Sequence, residues 1–231
     1  MFILALMIAG FLAPLATQVD QRNISDTQKS LNDIKEALMG FALANGRLPC
    51  PADPTIATGA ANAGVERAIC TGANVNGVLP WTTLGVNETD AWGHRYTYRV
   101  TASFADAIAA NTVTPPVSCA PTPLPTQSSF ALCSQGDITI TDGSSNIATQ
   151  IPAVVVSNGK DGYGAYTNLG TQLSTTGAGT DELENTNANA TFVSRIYTDN
   201  PAAAGGAFDD IVVWITPNIL LNRMVAAGKL P

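Results

Sequence analysis

Residues 1–45, MFILALMIAGFLAPLATQVDQRNISDTQKSLNDIKEALMGFALAN, read as one uninterrupted helix. From Met1 to Ala16 the run carries no charge and hardly a polar atom. From Val19 the pattern turns polar, with apolar residues at Ile24, Leu31, Ile34, Leu38 and Phe41. Spacings of seven, three, four and three place those side chains on one stripe of a helix. Asn45-Gly46 tolerates the left-handed conformation of a helix C-cap, and Pro49 and Pro51 prevent resumption. At 1.5 Å per residue such a helix spans about 65 Å, more than a compact domain of this size needs. The pattern is that of a stalk joining a membrane to a domain. The chain therefore divides into an anchoring helix, residues 1–45, and a head, residues 46–231.

The head keeps roughly 185 residues of the 231, enough for a real core. It is rich in Gly, Pro, Asn, Thr and Ser and poor in charge, which suits a β-rich, loop-rich extracytoplasmic body. A net charge of −7 and a pI near 4.5 exclude a nucleic-acid partner, since phosphate binding needs clustered Lys and Arg. The four cysteines, Cys50, Cys70, Cys119 and Cys133, lack a CxxC spacing, and the lone His94 is remote from all of them in sequence. Disulfides of an oxidising compartment fit better than zinc. Their order favours local loops Cys50–Cys70 and Cys119–Cys133, although four cysteines allow three connectivities. A cleaved signal peptide is a poor fit, because no basic segment leads the apolar run and no small residue stands three before a cut at Thr17. Sixteen apolar residues also fall short of the roughly twenty that cross a bilayer.

In the head, residues 52–77 read as a loop and Val78–Gly85 as a short apolar segment with one helical turn. Trp92-Gly93 leads into Tyr96, Tyr98 and Val100, alternating as a strand with one buried face. Residues 111–128 form a Pro-rich excursion. Asp137–Thr141 alternates as a strand that turns at Asp142-Gly143, and Ala153–Val156 reads as a central strand. Residues 163–206 are polar and without periodicity, Phe208–Ile215 is the last strand, and Thr216-Pro217 opens a helix to Gly228. The expected fold class is α+β, a long helix packed on an antiparallel sheet of about four to six strands. Alternating aromatics on a strand read as core. His94 and Arg95 read as ordinary surface residues, and with no nucleophile motif the chain is expected not to be an enzyme.

Three features together resemble the type IV pilin and type II secretion pseudopilin superfamily. They are the apolar-then-amphipathic helix with Pro14 in its apolar half, the segment Asp90-Ala91-Trp92-Gly93-His94-Arg95-Tyr96-Thr97-Tyr98, and the loop Ser157-Asn158-Gly159-Lys160-Asp161-Gly162 followed later by Asp209-Asp210-Ile211-Val212-Val213-Trp214. The excursions at 52–77, 101–135 and 163–206 fall outside the match. The basic leader and the Phe-(Thr/Ser)-Leu-(Ile/Leu)-Glu start of that family have no counterpart here, so no residue takes the role of its glutamate. The expected true start then lies upstream of Met1.

The resemblance implies a single-pass inner-membrane subunit with its head in the periplasm. It implies partners: other copies or related pilin-like subunits, an inner-membrane assembly platform, and prepilin peptidase where the missing start exists. The product would be a type IV pilus-like or type II secretion pseudopilus filament. The alternative is a tethered binding module that does not polymerise. The resemblance further implies calcium, which some major pseudopilins bind through this loop and the acids before the last strand. The candidate ligands are Ser157, Asp161, Asp209 and Asp210, set against a plain turn with solvated acids. Calcium wants about six to eight oxygens, and Asp209 and Asp210 adjoin on a strand and should face opposite ways.

Overall fold

In the computed structural model, residues 2–106 and 127–230 are described, with backbone alone over 2–16. The expected Pro-rich excursion and Cys119 lie largely or wholly outside the described residues.

Helix α1 runs unbroken from Phe2 to Asn45. Gly46 adopts a left-handed φ of 71° and returns its N–H to Ala42 O at 2.8 Å, closing the helix where the sequence placed its end. The buried stripe is Thr27, Leu31, Ile34, Leu38, Met39 and Ala42. The two ends of the predicted stripe differ: Ile24 and Phe41 are only half-buried, and the Arg47 guanidinium covers the Phe41 ring at 5.4 Å.

The first sheet has the order β1 (Asn76–Val78), β2 (Thr97–Val100), β5 (Ala153–Ser157), β7 (Ile211–Ile215), antiparallel throughout. A second sheet joins β4 (Asn146–Ile151), β3 (Ile138–Thr141) and β6 (Thr191–Val193). Its β3–β4 hairpin is antiparallel, whereas β3 and β6 run parallel. The expected single sheet is thus corrected to two. The cause is visible in β5. Ala153 and Val155 join the core under α1, while Val154 and Val156 join a separate cluster with Ile138, Ile140, Ile151 and Phe192. A strand apolar on both faces needs a cover on each side, and the second sheet supplies the outer one.

The other differences follow from the same layering. β2 is buried on both faces, because Arg99 on its outer side is covered and pairs with Asp137 at 2.7 Å. The stretch 163–206, legible only as polar, holds α4 (Thr180–Glu184) and β6. The short helices α2 (Trp81–Leu84) and α3 (Ala102–Ala105) sit between the strands in chain order. The last helix, α5 (Pro217–Ala226), has the expected Pro at its first position, but Thr216 makes no side-chain cap bond. Leu220 and Met224 seat α5 in the α1 core.

Cys50 and Cys70 are both buried, and no disulfide joins them in the structure. Their side chains are hydrogen-bonded to each other, and that contact together with burial pushes the Cys70 thiol far above its usual range. Cys133 belongs to the second expected pair, whose other half, Cys119, lies outside the described residues. Two thiols already in contact in the core need little backbone movement to close. Under oxidising conditions we expect unfolded, alkylated protein to lack two free thiols at Cys50 and Cys70. Peptide mapping that finds both alkylated after oxidation would reject the pairing.

Candidate functional site

The loops that carry the sequence motifs converge beside the lower part of α1. Asp90 organises the first of them. Its Oδ1 accepts the backbone N–H groups of Trp92 (3.0 Å) and His94 (2.9 Å), and its Oδ2 accepts the Ser157 hydroxyl at 2.7 Å. Burial raises the Asp90 carboxyl, and those hydrogen bonds oppose the rise. Ala91 N–H donates to Thr27 Oγ1 at 3.2 Å, fixing this turn to α1. His94 is half-buried rather than on the surface, with Nδ1 3.0 Å from Gly159 O.

The 157–162 loop closes over this turn. A Cβ at Gly159 would collide with Asp209 Cγ, and one at Gly162 would collide with His94 Cε1. Both glycines also have positive φ, 59° and 63°, so both side-chain absence and backbone freedom are required. Asp209 Oδ2 accepts the Asp161 N–H at 2.8 Å. The loop is held by the protein's own carboxylate.

Behind it lies an acidic core. Burial pushes Asp209 up to about 6, and the charges of Asp161 and Glu182 add to the rise. Burial likewise raises Glu182, and raises Asp210 well above the usual carboxylate range. Asp210 accepts from Asn185 Nδ2 at 2.7 Å, and Asn185 also exchanges two hydrogen bonds with the Val193 backbone. Asn185 therefore ties β6 to β7. Glu182 Oε1, Asp209 Oδ1 and Trp92 Nε1 are buried without a hydrogen-bond partner.

Of the four residues implied for calcium, Ser157 donates its hydroxyl to Asp90, and Asp210 accepts from Asn185. Asp161 donates its backbone N–H to Asp209 Oδ2. Among the described residues, no three His, Cys, Asp or Glu side chains are arranged to hold a metal.

An open cleft of about 540 Å³ separates α1 from these loops, with Thr17 and Ile24 on one wall and Trp92, Lys160, Tyr197 and Phe208 on the other. Lys160 bridges it to Asp20 at 2.8 Å. Among the described residues, no helix is long and apolar enough to cross a membrane.

Arg95, read as ordinary surface, is fully buried. Its Nε meets Glu88 Oε1 at 2.8 Å, and its Nη atoms donate to Pro54 O, Thr58 Oγ1 and Asn168 O. Its guanidinium lies 4.6 Å over the Trp81 ring. The one available signal was its place in the alternation, opposite to Tyr96 and Tyr98; what covers that face comes from residues far away in the chain.

The pH response follows from the acidic core. A carboxylate whose folded pKa is raised, as Asp209 is from 3.8 to about 6, holds its proton more tightly when folded. Its stabilising effect is complete below the unfolded value and is lost as pH rises through about 6. Glu182 and Asp210 act in the same direction. Thermal melts should therefore show higher stability near pH 5 than at pH 7.5. Asp209→Asn should gain about 1–2 kcal/mol at pH 7.5, below the full linkage value because the group keeps some solvent contact. An Asp209→Asn variant with an unchanged pH profile would reject this account. No protein family, curated protein or solved structure matches the chain.

Proposed function

We propose that the chain is a pilin-like structural subunit, held in the inner membrane by the start of α1 and assembled through that helix into a type IV pilus-like or pseudopilus filament. One observation carries the reading. A single helix of 44 residues buries Thr27, Leu31, Ile34, Leu38, Met39 and Ala42, and the same helix continues through an uncharged apolar run to its other end.

The physics of such a run suits exchange between lipid and other helices. Its backbone is satisfied internally in either setting, and both settings remove the same apolar surface from water. Residues 2–16 contribute about 22 Å of apolar helix to such a run.

The alternative, a tethered binding module, draws on the open cleft between α1 and the head. The test is production of the full chain with its native secretion or pilus machinery, then filament shearing, electron microscopy and N-terminal mass analysis. Filaments containing this chain, lost on changing Ile8 and Leu12 to Asp, are the expected result. Membrane-bound protein that never assembles would leave the tethered module.

A further inference from the structure

The contacts between α1 and the head descend the helix in order. Lys229 reaches Ala44 O, Arg223 pairs with Glu36, Ala91 bonds Thr27, and Lys160 pairs with Asp20. Tyr197 closes the series, lining the cleft with Thr17 and Ile24. The loop bearing Tyr197 is therefore at the end of the head nearest the apolar run, and Thr17 immediately follows that run. Across the cleft the loop faces residues 17–24, which lie within about 12 Å of the end of that run at 1.5 Å per residue.

That loop exposes apolar side chains where the rest of its structure is rigid. Ile196 is 88% exposed and Tyr197 58%. Their neighbour Arg195 is anchored: it pairs with Asp181, donates to Gly206 O at 2.8 Å and lies 4.7 Å over the Phe208 ring. Thr198 and Phe208 exchange both backbone hydrogen bonds. A tethered loop thus leaves both an isoleucine and a tyrosine largely exposed.

We propose that the 195–199 loop docks on the membrane surface, with Ile196 and Tyr197 inserted into the interfacial layer; this rests on the membrane reading of α1. The polar layer on each face of a bilayer is about 5–8 Å deep, comparable to the height of the loop above the apolar run. A tyrosine with a free hydroxyl and an aliphatic neighbour suits that layer, and half-exposed Lys160 can keep its charge in water while its stem lies flat. Asp20, Asp161 and Asp199 line the same end of the molecule against Lys160, so the favoured surface is zwitterionic rather than anionic.

The experiment places an environment-sensitive thiol label at Ile196→Cys in the full chain, reconstituted in phosphatidylcholine vesicles containing shallow spin-labelled lipid. Parallel labels sit at Leu169→Cys, 73% exposed and not part of the cleft, and at Leu6→Cys in the apolar run. Cys50 and Cys70 are too buried to take label under native conditions, and the exposed Cys133 is held in a disulfide. Quenching at position 196 but not 169, weakened severalfold when anionic lipid replaces phosphatidylcholine, is the expected result. Quenching at position 6 alone overturns the docking and leaves the membrane reading intact. Quenching at none of the three overturns both. Equal quenching at 196 and 169 means the head merely adsorbs, and the docking is wrong. Ile196→Asp with Tyr197→Asp, exposed substitutions that leave the core intact, should expose a label at Thr198→Cys to water; unchanged burial of that label counts against the proposal.

Discussion

Arg95→Ala should cost about 3–5 kcal/mol of stability, the range found when one partner of a buried ion pair is removed. In a domain of this size that is about 6–20 °C in thermal midpoint. The reason lies in what would be abandoned. Glu88 would lose the charge it faces at 2.8 Å, and the carbonyls of Pro54 and Asn168 would lose a shared donor. Those groups belong to two long loops and the turn before β2, so the damage is to their junction. The ion pair itself is not the source of stability. Arg95→Met with Glu88→Gln, which removes both charges and keeps the volume, should recover most of the loss. A loss below about 1 kcal/mol for Arg95→Ala by denaturant melts would show that water can take the place of the guanidinium.

Leu38→Ala is expected to cost about 2–5 kcal/mol, because Leu38 is completely enclosed between α1 and the first sheet and the site cannot collapse around the gap. The contrast is with the start of the same helix. Removing residues 1–16 should leave the melting midpoint of the head unchanged in detergent-free buffer, since the core as described begins at Thr27 and Leu31. Equal losses from the two changes would mean that the apolar run is part of the head's core, and the division of α1 into anchor and packing halves would be wrong.

The stalk was legible because a long helix writes its period directly into the chain, and Leu31, Ile34 and Leu38 obey it. Ile138–Thr141 was legible from its strict alternation, and Ala153–Val156 from its unbroken β-branched run. What failed was pairing at a distance. Nothing near Thr191 announces that three residues there will run parallel to β3, and nothing near Arg95 announces Pro54 and Asn168. The motif loop at 157–162 was found in sequence. That Asp209, some fifty residues later, accepts the Asp161 N–H was not legible there.

The order in which the chain is synthesised has a consequence for its folding. The side chains that cover α1 arrive last: Arg223 pairs with Glu36 across 187 residues, and Lys229 caps Ala44 across 185. At translation rates of about 5–20 residues per second, the stripe from Leu31 to Ala42 would wait roughly 10–40 s for β7 and α5. Throughout that interval the helix offers a bare apolar seam. A fold with such non-local closure is slow and prone to wrong pairing, and the seam it leaves open is the kind of surface that holding chaperones recognise.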